Sequence, residues 1–373
     1  MKILFISTMS NAPWGGSEEL WVRSATYAIE QRHDVVISVY DWGALNPKIA
    51  KLMTKGAKIN KRKRVFFGSS IAKRIKGFLI KKLFSEREIL SLKRYSPDVI
   101  VVSQGTIFEC MTDAFIQLEE NTKAKLIVIT QANSEYDTIP DGFFEQGRKL
   151  FKMAHHLYFV SDRNRVVAER QLAMRLPNSS VISNPANIDK YGIVDWNDTA
   201  TLMMACVGRL DSTVKGIGVL LQILGRKEWE QREWILNLYG TGKDEQYLKE
   251  LILLYKLEEK VFFNGFVENV NEVWEKNHVL LMPSTLEGTP LSLIEAMLSG
   301  RSAVVSDVGG NAELIIEGVS GFVAEAPSLL SFGNAMERMW KNSRLLSAFG
   351  KNAYEAVNER INLLSFKQII DDL

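Results

Sequence analysis

Two cysteines, Cys110 and Cys206, stand far apart in a chain of 373 residues, so no disulfide framework is available and a reducing compartment suits the protein. No apolar run approaches the ~20 residues of a membrane-spanning helix. The opening MKILFIST has one lysine and a short apolar stretch, and reads as a first β-strand, not a signal peptide. There is no Asp-x-Asp pair, and the four histidines (His33, His155, His156, His278) form no cluster of metal-ligand spacing, which argues against a catalytic metal. His155 and His156 open a strand and point to opposite faces, so they are read as structural. Between Asp41 and Glu86 no acidic residue occurs, while 13 lysines and arginines do.

Charge is divided between the halves. Residues 1–190 carry 29 Lys/Arg against 19 Asp/Glu, and the remainder 17 against 25, which suggests a basic N-terminal surface facing an anionic partner. Within the basic tract, Ile71–Phe84 places apolar residues at 71, 75, 78, 79 and 83 on one helical face. Three readings stay open for it: an interfacial helix on anionic lipid, spanning the basic stretch Lys61–Lys82; a core-packed helix with a solvated basic face; or a nucleic-acid patch. No groove-reading or aromatic-rich module supports nucleic acid.

Apolar, β-branched runs alternate with amphipathic segments. Lys2–Ile6, Asp34–Val39, Asp98–Val102, Lys125–Ile129 and Leu157–Val160 read as strands, with helices over Ser17–Gln31 and Phe108–Leu118. Ser183–Asp198, rich in Asn, Asp, Gly and Pro, reads as a linker. A second set of strands follows near Met203–Val207, Ile235–Tyr239, Val261–Phe263, Val279–Pro283, Ala303–Ser306 and Gly321–Val323. The fold class is therefore α/β, two Rossmann-like doubly wound parallel-sheet domains with an expected cleft between them. The expected boundaries are 1–185, 186–355, and a C-terminal helix over 356–373 that packs back on the first domain.

The richest stretch is VLLMPSTLEGTPLSLIEAMLSG, Val279–Gly300. A strand runs into a Ser-Thr-Leu-Glu-Gly-Thr-Pro loop, a helix starts near Pro290, and Gly300 ends it. Free N–H groups between Gly288 and Leu291, those of Gly288, Thr289 and Leu291, mark an anion site at the helix start that Pro290 opens. Glu287 and Glu295, eight positions apart, suit a polyhydroxyl ligand, because carboxylate oxygens accept strong hydrogen bonds. In Cys206–Gly218, CVGRLDSTVKGIG, Arg209 and Lys215 are placed to pair with a diphosphate. Near the N-terminus, Gly15 and Gly16 let the backbone approach a ligand and Ser17 is positioned to cap the helix that follows.

These segments resemble the retaining GT-B glycosyltransferases of family 4 (glycosyl transferases group 1), most strongly from Val207 to Val323. The resemblance implies transfer of a sugar from a nucleotide diphosphate sugar, a UDP-sugar first, to a hydroxyl of a glycan or lipid-linked glycan, in cell-surface polysaccharide or glycolipid synthesis. The implied enzyme is metal-independent, needs no cofactor, and is cytoplasmic or peripheral on the membrane face. Arg209, Lys215 and Glu287 take the catalytic positions, with Glu287 orienting the donor sugar. Gly15, Gly16, Gly240, Val267, Gly288, Thr289, Pro290, Leu291 and Glu295 take the donor-binding ones. The segment Ser306–Asn311 is read as structural. Relatives carry histidines where this chain has Ser103-Gln104 and Thr130-Gln131, and since the family histidine contacts the sugar near its 6-hydroxyl, a 6-deoxy or otherwise altered hexose is expected. The alternative is an inactive GT-B subunit partnering another transferase.

Overall fold

A computed structural model describes residues 1–10, 12–62 and 63, 86–186, 192–196, 198–362 and 364–373. The amphipathic Ile71–Phe84 lies outside the described residues. The chain divides into two compact units, Met1–Pro185 with Leu363–Leu373, and Ala186–Asn362. Among the described residues no helix is long and apolar enough to cross a membrane.

The first unit is built on a seven-stranded parallel sheet of β1 (Lys2–Ser7), β2 (Asp34–Tyr40), β3 (Lys58–Arg62), β4 (Val99–Gln104), β5 (Lys125–Thr130), β6 (His156–Phe159) and β7 (Ser179–Val181), in the order β3-β2-β1-β4-β5-β6-β7. Its central strands are apolar at nearly every position because both faces are covered. Alternate residues divide between two cores. Leu4, Ile6, Ile100, Val102, Leu126 and Val128 lie in one, and Ile3, Phe5, Val99, Val101, Ile127 and Ile129 in the other.

The second unit carries a six-stranded parallel sheet of β8 (Leu202–Val207), β9 (Trp234–Tyr239), β10 (Val261–Gly265), β11 (Val279–Met282), β12 (Ser302–Ser306) and β13 (Gly321–Ala324), ordered β10-β9-β8-β11-β12-β13. Helix Leu346–Arg360 belongs wholly to this unit. The last eleven residues return to the first unit. Ser24 Oγ donates to the Phe366 carbonyl, Tyr158 donates to the Asp372 carboxylate at 2.7 Å, and Ile369 and Ile370 join the core beside Trp21.

Two local expectations are corrected. The helix placed at Phe108–Leu118 runs instead over Asp113–Thr122, and residues 105–111 form turns in which Gln104 Oε1 accepts from the Cys110 N–H. Phe108 and Ile107 pack as loop residues, so their apolar spacing imitates a helix that starts later. Helix Ser17–Glu30 is capped by Gly16, not Ser17, with no side-chain cap. Ser17 already belongs to the first turn, and a residue inside the helix is in the wrong place to cap its N–H groups.

Candidate functional site

In a doubly wound sheet, ligands bind beyond the strand carboxyl ends where the strand order reverses. In the second unit that reversal lies between β8 and β11. The loop after β8 carries Arg209 and Lys215, and the loop after β11 carries Glu287, so the topology puts these residues on neighbouring strand ends.

The two loops are stitched by backbone. Thr285 N–H donates to the Val214 carbonyl at 2.9 Å, and its hydroxyl to the Thr213 carbonyl at 2.7 Å. Gly216, at φ +63, sits where a Cβ would meet the Pro283 carbonyl at 2.0 Å, so only glycine permits this approach. Lys215 Nζ then lies 2.5 Å from Glu287 Oε1, with side chains only 18% and 8% exposed. The lysine stem runs over Gly208, whose missing Cβ leaves it room. Cys206 shares this surrounding: burial pushes its thiol up to about 12, against the Lys215 charge and with that of Glu287. Arg209 is exposed, six residues before Lys215 on the loop that follows β8.

Neighbouring loops close round this pair. Gly240 lets the end of β9 touch the Gly208 carbonyl, its N–H donates to the Gly265 carbonyl at 2.7 Å, and Asp244 accepts from the Ser212 N–H. Gly309, at φ +51, packs against the Glu287 and Gly288 carbonyls, and the Gly310 N–H donates to the Gly288 carbonyl. The Ser306–Asn311 turn thus braces the Glu287 loop. Gly288, Thr289 and Pro290 are buried, with Pro290 at the N-cap of helix Leu291–Leu298, whose first-turn N–H groups point out of its start. Glu295 is buried on that helix. Val267 is half-buried, two residues beyond edge strand β10, and no bond joins it to the lysine–glutamate pair.

Gly15 and Gly16 belong to the first unit, between β1 and helix Ser17–Glu30, where their carbonyls accept from the Glu18 and Glu19 N–H groups. This unit has its own reversal, between β1 and β4. Buried Glu18 lies there, accepting from Ser7 Oγ at 3.1 Å and Trp21 Nε1 at 2.9 Å. Burial raises its carboxyl to about 7, although both hydrogen bonds and the nearby Arg62 charge act the other way; the Glu109 charge adds to the rise. Nothing in the sequence marks a first-turn glutamate as neutral, since only the tertiary surround buries it.

This sets a pH dependence. Glu18 is protonated in the fold up to about 7 but ionises near 4.5 when exposed. Its contribution to stability is whole below that lower value and lost as pH rises through 7, a span worth about 3 kcal/mol. Urea midpoints of the native chain should fall between pH 5 and pH 8, and those of Glu18→Gln should stay nearly flat. Parallel falls in both proteins would refute the assignment.

The positions where the family resemblance places histidines hold amides. Gln104 is engaged, donating to Thr130 Oγ1 at 3.0 Å and accepting from Cys110. Gln131 is buried, and neither polar atom of its side chain has a partner among the described residues.

A family profile described as glycosyl transferases group 1 matches residues 197–356. Over 121 residues the chain is 28% identical to the poly(glycerol-phosphate) alpha-glucosyltransferase of Bacillus subtilis, covering 32% of this chain and 18% of that one. Over 157 residues it is 26% identical to the poly(ribitol-phosphate) alpha-N-acetylglucosaminyltransferase of Staphylococcus aureus, covering 41% and 32%. The match therefore spans about a third or less of these relatives' length. The structure of Anabaena HepE in complex with UDP and glucose superposes with a TM-score of 0.73 at 18% identity, over 100% of this chain and 98% of that one. That likeness identifies the fold as GT-B.

Proposed function

We propose, on the premise that residues 197–356 form a glycosyl transferases group 1 domain in a GT-B chain, that this protein moves a sugar from a nucleotide diphosphate sugar to a hydroxyl of a glycan or lipid-linked glycan. The observation that carries the reading is the Lys215–Glu287 pair at the β8/β11 reversal. The lysine offers a point charge, and exposed Arg209 a planar fork, to the departing diphosphate. The start of helix Leu291–Leu298 adds N–H groups and the positive end of its dipole. Glu287 orients the donor sugar, and Glu295 serves the nucleotide side. In this reading the anomeric configuration is retained and no metal takes part, because the cationic side chains and the helix neutralise the leaving group.

UDP is the first nucleotide to test, since the structural neighbour HepE was captured with it. The polymer-directed names of the two sequence relatives favour a role in cell-surface polysaccharide synthesis. The lack of the family histidine at Ser103-Gln104 and Thr130-Gln131 supports a 6-deoxy or otherwise altered donor hexose, and a donor panel in which UDP-glucose performs best would refute that.

A thermal-shift panel of UDP, GDP, TDP and ADP without divalent metal tests the donor site. One nucleotide at a hundredfold its Kd should stabilise the protein by about 2.7 kcal/mol, and Arg209→Ala should lose the effect. No shift with any of the four would overturn the reading.

A further inference from the structure

The Lys215–Glu287 contact joins two residues with opposite tasks. The lysine serves the anionic part of a nucleotide sugar and the glutamate the hydroxyls of its sugar, yet in the structure each is the other's partner, at 2.5 Å. The backbone on both sides of the pair is fixed. Thr285, two residues before Glu287, is tied to the Thr213 and Val214 carbonyls, two and one residues before Lys215. Behind Glu287, a Cβ on Gly309 would meet the Glu287 carbonyl oxygen at 2.2 Å, so that loop has no room to retreat.

Only side chains can therefore part the two charges. The lysine stem lies flat on Gly208, where a Cβ would stand 3.2 Å from Cε and 3.8 Å from Nζ. Its four-carbon stem makes the ammonium the group that turns, while the Glu287 carboxylate stays buried on its braced loop.

We propose that Glu287 selects the loaded donor against the spent nucleotide by competing with the diphosphate for Lys215, a role that rests on the donor-site reading and deepens it. A nucleotide diphosphate that still carries its sugar brings hydroxyl donors to Glu287. Their hydrogen bonds replace the one from the ammonium, and Lys215 is released to the phosphate. A nucleotide diphosphate without its sugar brings Glu287 nothing. Its phosphate must draw the ammonium away from a buried carboxylate that is left without a partner and facing an anion. What opposes the wrong ligand discriminates as well as what holds the right one. Once the sugar has been transferred, Glu287 takes back the ammonium, and the nucleotide loses a cation as it leaves.

Titration calorimetry of UDP, GDP, TDP and ADP without divalent metal, on the native chain, Glu287→Gln and Glu287→Ala, tests this. For the nucleotide that binds, Kd should fall about tenfold in Glu287→Gln, because glutamine keeps the size and an acceptor for Lys215 but loses the charge. Glu287→Ala should move Kd in the same direction, and it carries the measurement if the glutamine variant does not fold. Glu317→Gln removes an equal charge from the exposed pair with Arg338, just before β13, and should leave Kd within about twofold. A Kd unchanged or raised in Glu287→Gln, or a fall of equal size in Glu317→Gln, would overturn the proposal and leave the donor-site reading standing. If no nucleotide binds any of these proteins, the donor-site reading falls, and the role of Glu287 falls with it.

Discussion

Replacing Lys215 with alanine should lower the rate of sugar transfer by about two to three orders of magnitude while the protein stays folded. The size follows from what the lysine does in the resting site and what it would do in the transition state. In the resting protein its ammonium is 2.5 Å from Glu287 Oε1, in a surround where both groups are largely hidden from water. When a nucleotide diphosphate leaves its sugar, negative charge grows on the bridging oxygen, and a pre-placed cation there lowers the barrier without reorganising. Alanine removes that cation and also leaves Glu287 without its countercharge, facing an anion. Arginine should rescue poorly. The lysine stem passes within 3.2 Å of where a Gly208 Cβ would stand, and the wide guanidinium fork does not fit a channel shaped for a narrow stem. The check is kcat at saturating donor for Lys215→Ala and Lys215→Arg, with calorimetry to show that both fold. A Lys215→Ala enzyme within about threefold of native would remove the lysine from the mechanism, since that ratio is under ~1 kcal/mol of barrier.

Arg301→Met should melt the second unit early. Arg301 is 1% exposed and is met by backbone carbonyls. It donates to Trp274 and Asn277 through Nε at 3.0 and 2.8 Å, to Val194 through Nη1 at 3.0 Å, and to Asp195 through Nη2 at 2.8 Å. Its guanidinium also lies 5.3 Å from the Trp196 ring, which stacks on His278. Burial lowers its pKa to about 10, still leaving it charged at neutral pH. Methionine fills the volume but satisfies none of these acceptors, and each buried acceptor left unmade costs about 1–3 kcal/mol. A loss near 4 kcal/mol is expected, which for a unit of this size lowers Tm by roughly 8–16 °C. Lysine should recover only part, because three donors on a point charge cannot span carbonyls spread from residue 194 to residue 277. Scanning calorimetry decides, and a Tm within about 3 °C of native would show that the cage is not needed.

Much of the architecture is legible along the chain. Strands such as Lys2–Ser7, Val99–Gln104 and Val279–Met282 are buried on both faces, so their sequences are nearly continuous apolar runs bounded by turns. The edge strands are not legible. Lys58–Arg62, KINKR, and Ser179–Val181, SSV, pair on one side only and need no apolar run, so their character comes from the neighbouring strand that supplies hydrogen bonds.

The same division holds at the site. Sequence by itself determined the alternation of strand and helix, and with it two doubly wound sheets. It also singled out Arg209, Lys215 and Glu287, on loops at strand ends, and Glu295, on the helix that follows, because they stand in an order that resembles a known family. Only the tertiary structure decided that Lys215 and Glu287, 72 positions apart, touch; that Glu18 holds its proton up to about 7; and that Arg301 is caged. The physical reason is range. Strand and helix patterns arise from neighbours a few residues away, whereas a charge's partner, its burial and its protonation depend on which distant loops the sheet order brings together.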